Sequence, residues 1–352
     1  MRVHLVTGGA GFIGSRLVRQ LLSDSEAVIV LDALTYSGRL ENLQELEGDK
    51  QFQFVHGSIS DSKLVNRLVA EHQPDVIINV AAETHVDRSI DEPNKFLDTN
   101  INGVFVLLET ALDNWHKYSK EKRDGFRFLQ VSTDEIFGSV KTGSVTETAP
   151  YRPNSPYSAT KASSDMLVRA YHKTYGLPVV TTHGSNTYGP RQFPEKLLPL
   201  FILRALSGMS LPVYGDGTNV REWLHVDDHV SGIIQALRMG KTGQAYNIGS
   251  GVGLQNIDVI KMLCQILGTL SESRTSKDFD SLIKFVTDRP GHDMRYSLDI
   301  SKSLDELEWK PTVKFDDGLA STVKWYIDQR SWWEPITEGQ YSLNRLGTSK
   351  EL

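Results

Sequence analysis

Short apolar runs alternate along the first half of the chain with stretches whose apolar residues recur every third or fourth position. "RVHLVT", "AVIVLD", "FQFVHG", "DVIINVAA", "FRFLQVS" and "PVVTTHG" have strand length and are almost continuously apolar. "SRLVRQLLS", "SKLVNRLVAEH" and "NGVFVLLETALDNW" carry the helical spacing between them. Such alternation predicts an α/β fold: a Rossmann-type, doubly wound parallel sheet with helices on both faces. After about residue 181 the pattern loosens into loops rich in Pro, Gly and charge, "NTYGPRQFPEKLLP", "YGDGTNVREW" and "VTDRPGHDMRYS". We therefore expect a dinucleotide-binding domain over 1–180, with segments around 220–250 returning to it, a smaller carboxy-terminal substrate lobe over 181–335, and an irregular tail over 336–352. The charge cluster "HKYSKEKRDG" reads as a solvated loop.

Composition changes this picture little. The chain has 352 residues, 39% hydrophobic and 23% charged, and a formal net charge of −6. That balance suits a soluble protein and gives no reason to expect binding to nucleic acid or to an anionic membrane. The single cysteine, Cys264, sits in a helical pattern and excludes a disulfide framework within the chain. No apolar run is long enough to cross a membrane, and no signal-peptide pattern opens the chain, so a cytoplasmic location is expected.

"LVTGGAGFIGSRLVRQLL" places Gly8, Gly11 and Gly14 between a strand and a helix. A tight turn, a close backbone approach to a pyrophosphate and close helix–sheet packing each require glycine there. The helix N-terminus supplies free N–H groups and a positive dipole end. Asp32 closes the next strand, where a carboxylate accepts hydrogen bonds from the adenosine ribose and repels a 2′-phosphate. The cofactor expected is NAD.

"NSPYSATKASSDMLVRAYHKTYG" reads as a helix with Ser155 as N-cap, Pro156 at its first position and Gly176 past its end. Tyr157 and Lys161 are four apart and share a face. The ammonium, together with a nearby oxidised nicotinamide, favours a phenolate and makes Tyr157 a base for a hydroxyl proton. In "FRFLQVSTDEIFG", Thr133, Asp134 and Glu135 follow directly on a strand. Adjacent carboxylates repel, so they are either solvated or used by chemistry. "HVDDH" (225–229) resembles a metal cluster but reads as a strand end followed by a helix whose cap is Asp227, so no metal site is expected. His85 reads as structural.

The motifs "TGGAGFIGS", "DALTYSGRLENL", "AAETHVDRSI", "STDEIFGS", "PYSATKASSD", "SNTYGPRQFPEKLLP", "YGDGTNVREWLHVDDH", "YNIGSG" and "DRPGHDMRYSLD" occur in order over roughly residues 1–300. "WKPTVKFDDGLASTVKWYIDQRSWWEP" extends the pattern to about residue 335. Together they resemble the extended short-chain dehydrogenase/reductase superfamily and, within it, the dTDP-glucose 4,6-dehydratase family. The resemblance implies dehydration of dTDP-D-glucose to its 4-keto-6-deoxy product by C4 oxidation, loss of water across C5 and C6, and hydride return to C6. In family terms Glu135 is the base at C5, Asp134 the acid for the C6 hydroxyl, and Thr133 a partner of the C4 oxygen. It implies cofactor contacts from Phe12, Ile13, Ala33, Leu34, Thr35, Ser58, Ile59, Ala81, Ala82, Thr84, Thr99 and Thr187, besides Gly8, Gly11, Gly14, Asp32, Tyr157 and Lys161. Substrate contacts are implied for Thr84, Thr133, Asn186, Lys196, Leu197, Pro212, Val213, Tyr214, Arg221, Asn256, Asp288, Arg289 and His292. A homodimer joined through the Tyr157 helix is also implied. The chain departs from the family pattern at Ser58, Phe137, His183, Gly184, Thr187 and Arg191; His183, Gly184 and Arg191 bear on nucleotide preference. Alternatives are the same reaction on UDP-glucose, a nucleotide-sugar 4-epimerase or decarboxylase, and a non-catalytic NAD-binding module. The epimerase and decarboxylase need Tyr157 and Lys161 but not the acid pair.

Overall fold

The structure, a computed structural model, describes residues 1–270, 278–289, 291–344 and 346. Strands and helices alternate at first: β1 (Val3–Thr7), α1 (Phe12–Ser23), β2 (Ala27–Asp32), β3 (Phe52–His56), α2 (Ser62–His72) and β4 (Val76–Asn79). Helices α3 (Val86–Asp91), α4 (Pro93–Leu97), α5 (Val104–Lys117) and α6 (Lys120–Gly125) lead to β5 (Arg127–Thr133), α7 (Pro156–Tyr175) and β6 (Val179–Gly184). Then come β7 (Asn186–Tyr188), α8 (Leu197–Leu206), β8 (Leu211–Tyr214), β9 (Val220–His225), α9 (Val226–Met239), β10 (Gln244–Ile248), β11 (Gly253–Gln255) and α10 (Asn256–Leu270). The chain closes with β12 (Ile283–Val286), α11 (Ser301–Leu307), α12 (Phe315–Asp328) and α13 (Arg330–Pro335).

Seven strands form one parallel sheet in the order β10-β6-β5-β4-β1-β2-β3. Connections run in opposite directions from β1, so a crevice opens beyond the carboxyl ends of β1 and β4. Alternation along each strand divides the core. Val6, Val30, Ile78 and Leu129 face Leu17, Val18, Val230 and Ile233 of α1 and α9. Leu5, Ile29, Ile77 and Phe128 face Val65, Leu68, Leu107 and Val168 of α2, α5 and α7. Both faces are covered, which is why these strands are apolar throughout.

A separate core holds the second lobe: Phe201, Ile202, Val213, Trp223, Leu263, Tyr326 and Trp333. It carries two small sheets, β11-β9-β7 and β12-β8. Cys264 is buried there, its thiol pushed up to about 12 by burial. From β9 the chain passes directly into α9, which covers the large sheet, and then into its edge strand β10.

Local chemistry sets the helix ends. Asp61 caps α2 by accepting from the N–H groups of Lys63 and Leu64. Ser155 and Ser158 form a capping box at α7, Pro156 is its first residue, and Gly176 ends it at φ 75. Two local expectations change. Part of "HKYSKEKRDG" is helical: Ser119 caps α6 and Lys120 pairs with Asp124. The tail is ordered through 336–344, with a π-helical turn at Ile336–Gln340, whereas residues 345 and 347–352 of the expected irregular tail lie outside the described residues. No described helix is long and apolar enough to cross a membrane.

Candidate active site

The turn after β1 shows why glycine is required there. Gly8 has φ 70, and its N–H donates to the Leu31 carbonyl at 2.9 Å. A Cβ on Gly14 would lie 2.1 Å from the Gly8 carbonyl oxygen, so α1 can pack this close to the turn only with glycine. Gly11 is the N-cap of α1 and offers no side-chain cap, leaving first-turn N–H groups for an anion. Asp32 is buried at the end of β2; its carboxylate accepts from the N–H groups of Ala10 (2.9 Å) and Leu34 (2.8 Å). Burial raises its pKa above the usual carboxylate value, against those two hydrogen bonds.

These groups open onto a cavity of about 300 Å³. Gly8, Gly11, Phe12, Ile13, Gly14, Asp32, Ala33, Thr35, Ser58, Ile59, Ala81, Ala82, Thr84, Thr99 and Thr187 line it, and Thr133, Asp134, Glu135, Tyr157 and Lys161 close its far end. Leu34 is the exception among the expected cofactor residues. It does not line the cavity; its φ of 49 turns the chain away, and its N–H is spent on Asp32. A glycine cradle, an uncapped helix end and a buried carboxylate at the end of β2 fit NAD.

At the far end β5 stops at Thr133, whose hydroxyl accepts from the Glu135 N–H (3.3 Å) and donates to Asp134 Oδ1 (3.2 Å). Asp134 lines only the first cavity, whereas Glu135 lines this one and a second beside it. Asp134 is buried, and its Oδ2 has no hydrogen-bond partner among the described residues. Burial, with the charges of Glu135 and Glu222, raises its pKa well above the ordinary value. Glu135 is also raised by burial, but the opposing charges of Arg289, Lys196 and Arg221 restrain it. Both are raised, Asp134 the more strongly, so of the two Glu135 ionises more readily.

Tyr157 and Lys161 are buried on one face of α7. Lys161 Nζ donates to the Val131 carbonyl at 2.7 Å, and burial with the charge of Glu135 holds the Tyr157 phenol well above its ordinary pKa. The protein alone therefore favours the phenol rather than the phenolate.

A second cavity, about 200 Å³, adjoins the first. Thr84, Glu135, Asn186, Glu195 and Lys196 line both. Leu197, Pro212, Val213, Tyr214, Arg221, Asn256, Arg289 and His292 line the second. Lys196 Nζ donates to the Thr84 carbonyl at 3.0 Å. Arg221 donates to the Asp293 carbonyl at 2.8 Å and stacks on Tyr296. Arg289 pairs with Asp87 at 2.7 Å, and the Tyr214 hydroxyl donates to the other Asp87 oxygen at 3.0 Å. Burial and the cations Arg289 and Arg221 lower His292 to about 4, so its ring is neutral. Asp288, expected at the substrate, does not line this cavity; its carboxylate accepts from the Arg289 N–H and His292 and so braces them from outside.

Sequence reasoning missed several neighbours. Glu195, buried and paired with Arg88 at 2.7 Å, separates the two cavities. Asp87 orients Arg289, and Tyr341, Leu343 and Leu346 of the tail line the second cavity. Adjacency of Glu195 to Lys196 was a weak signal; nothing local announced the tail. His183 and Arg191 line neither cavity. His183 is fully buried under the site, and Arg191 pairs with Glu45 at 3.2 Å. Gly184 lines only the first cavity, where a Cβ would lie 2.5 Å from the His229 ring. The cap of α9 is His225, not Asp227, because β9 runs into the helix without a linker. Asp228 instead holds the N–H groups of Thr312 and Val313 and the Thr312 hydroxyl. No group of metal-ligating side chains occurs among the described residues.

The GDP-mannose 4,6 dehydratase family profile matches residues 5–322. A dTDP-glucose 4,6-dehydratase of Xanthomonas campestris pv. campestris (strain B100) is 51% identical over 350 residues, 99% of this chain and 100% of that protein. One from Escherichia coli is 46% identical, covering 97% of this chain and 98% of its own. DesIV, a dTDP-glucose 4,6-dehydratase from Streptomyces venezuelae solved with NAD bound, superposes with a TM-score of 0.87 at 48% identity, over 95% of this chain and 99% of that one.

Proposed function

The chain belongs to the GDP-mannose 4,6 dehydratase family, among its dTDP-glucose 4,6-dehydratases, and from that premise we propose how its side chains divide the reaction. It is an NAD-dependent enzyme that dehydrates dTDP-glucose. Bound NAD would be held by the Gly8–Gly14 turn, Asp32 and the strand ends, and supplies the hydride acceptor and donor. Tyr157 removes the C4 hydroxyl proton, and the Lys161 ammonium stabilises the phenolate that this role requires. A ketone at C4 makes the C5 proton acidic. Glu135 takes that proton, and Asp134, kept protonated by burial, delivers one to the C6 hydroxyl, which leaves as water. Arg221, Arg289 and Lys196 neutralise the nucleotide diphosphate, with Arg suited to forked contacts.

What carries this division is that Glu135 lines both cavities, at the junction where a sugar would connect a nucleotide to the nicotinamide. C4-deuterated dTDP-glucose tests it. The product should be lighter by one water and carry the label at C6; label retained at C4 points to an epimerase. UDP-glucose offered separately measures nucleotide preference.

We also propose a cytoplasmic homodimer joined through α5 and α7. Phe105, Met166 and Tyr175 on these helices are exposed, which supports an apolar face awaiting a second copy. Met166→Glu should yield a monomer by light scattering.

A further inference from the structure

Two of the positions at which the chain departs from its family pattern, Gly184 and Thr187, meet on one buried imidazole that the reaction as described does not use. His229 lies near the start of α9, is almost fully buried, and lines the first cavity but not the second. Its Nδ1 is 2.7 Å from the Thr187 hydroxyl oxygen, and that hydroxyl donates to the Ser185 carbonyl at 3.1 Å. A hydroxyl has one proton, and the carbonyl takes it. Both contacts are hydrogen bonds only if Nδ1 carries the ring proton and donates to Thr187. Burial lowers the ring to about 4, so it is neutral and Nε2 is a bare acceptor.

Nε2 is buried and has no hydrogen-bond partner among the described residues. The ring edge that carries it faces Gly184: a Cβ there would lie 2.6 Å from Nε2 but 3.4 Å from Nδ1. The missing side chain at 184 is what lets the ring occupy this place. Gly184 ends β6 and is the register partner of Thr133, so the bare nitrogen sits at the end of the cavity closed by Thr133, Tyr157 and Lys161. A second unsatisfied group accompanies it. The Ser185 hydroxyl is buried, has no partner among the described residues, and belongs to a residue that also lines only the first cavity. Buried polar groups are costly to leave unpaired. Together these two offer one acceptor and one donor, the complement of a primary amide.

We propose that His229 and Ser185 hold the nicotinamide carboxamide of NAD: His229 Nε2 accepts an amide N–H, and the Ser185 hydroxyl donates to the amide oxygen. The inference rests on NAD occupying the first cavity with its nicotinamide beside Tyr157. Hydroxyls of the nucleotide sugar are the competing partners, but the sugar reaches the junction from the second cavity, which neither His229 nor Ser185 lines. Asn186, whose side-chain oxygen is also unpaired among the described residues, lines both cavities and so stands at that boundary. An amide anchor fixes which face of the nicotinamide looks toward the sugar. The same hydride leaves C4 and returns to C6, so one face must stay presented through the whole turnover. A ring free to turn about its glycosidic bond would present the other. Thr187 and Gly184 act through His229: Thr187 sets its tautomer, and Gly184 makes room for its ring.

Competition between NAD and 3-acetylpyridine adenine dinucleotide tests this without turnover. The analogue keeps the carbonyl oxygen but has a methyl group in place of the amide nitrogen. The enzyme is equilibrated with a mixture of the two, and the bound ratio is read by chromatography after denaturation. His229→Asn keeps a donor for Thr187 and removes Nε2; it should shift the ratio about tenfold toward the analogue. His229→Gln, whose amide oxygen reaches the place of Nε2, should restore part of the preference for NAD. Ser185→Ala should weaken both dinucleotides and leave the ratio unchanged. A merely structural His229 would weaken both alike. If His229→Asn does not fold, ¹⁵N-histidine-labelled parent enzyme serves instead. Its His229 Nε2 signal, assigned by its loss in His229→Gln, should show a hydrogen-bonded nitrogen in the NAD-loaded form and a bare one in the analogue-loaded form. An unmoved ratio in folded His229→Asn, or the same Nε2 signal in both loaded forms, overturns the proposal. Failure of the parent enzyme to bind either dinucleotide would instead overturn the NAD reading beneath it.

Discussion

The two cavities meet at Glu135 but are built in opposite ways. The first is a backbone construction. Its floor is the ends of β1, β2, β4 and β5, and its recognition comes from a glycine turn, an uncapped helix and one carboxylate already held by two N–H groups. The second is a side-chain construction. Its cations are held by partners far away in sequence: Arg289 by Asp87, 202 residues apart, and Lys196 by Thr84, 112 apart. A backbone site is rigid because the sheet is rigid. A side-chain site keeps its shape only while its ion pairs are satisfied, and its electrostatics reach into the first cavity through Glu135.

Disabling the junction should have the largest effect. Glu135→Gln should slow water loss by about 10²–10⁴-fold while leaving C4 oxidation, so reduced cofactor should accumulate optically on mixing with dTDP-glucose. Dehydration at the normal rate would break the assignment.

Arg289→Met should come next, because it leaves Asp87 buried and unpaired. We expect a loss of about 3 kcal/mol in stability, a higher KM, and an acid limb of the pH–rate profile displaced to higher pH. The sign follows from Arg289 being the largest charge that lowers Glu135.

Gly14→Ala sharpens the contrast. Overpacking against the Gly8 carbonyl should cost about 1–3 kcal/mol and weaken NAD retention, while dTDP affinity of the second cavity, measured by calorimetry, stays near that of the parent. Equal loss at both sites would erase the distinction.

The smallest effect is a gain. Asp134 has a folded-state pKa above its unfolded value. The native state therefore binds more protons, and stability falls as pH rises from about 4 through the folded value. Asp134→Asn removes that loss. It should raise Tm by about 2 °C near neutral pH and show no gain below about pH 4. A melting series across pH checks the sign.

Much of the first cavity was legible before any coordinates. Gly8, Gly14, Asp32, Tyr157 and Lys161 act through short-range constraints: a turn, a helix spacing, a strand end. The Ser155 cap and Gly176 terminus were readable for the same reason. Less was legible where partners are distant. Nothing near Asp87 names Arg289 or Tyr214. Leu34 and Asp288 line neither cavity, because proximity in sequence to a site residue does not fix the direction of a side chain. Asp227 lost the cap to His225 because a strand that enters a helix without a loop shifts the cap by two residues.

The sequence by itself determined the alternating architecture and the glycine turn after β1, because each follows from local periodicity or from chemistry that few residue types supply. Only the tertiary structure decided the raised pKa values of Asp134 and Glu135 and the tail's place beside the second cavity. Those depend on burial and on charges brought together from across the chain, which no local pattern encodes.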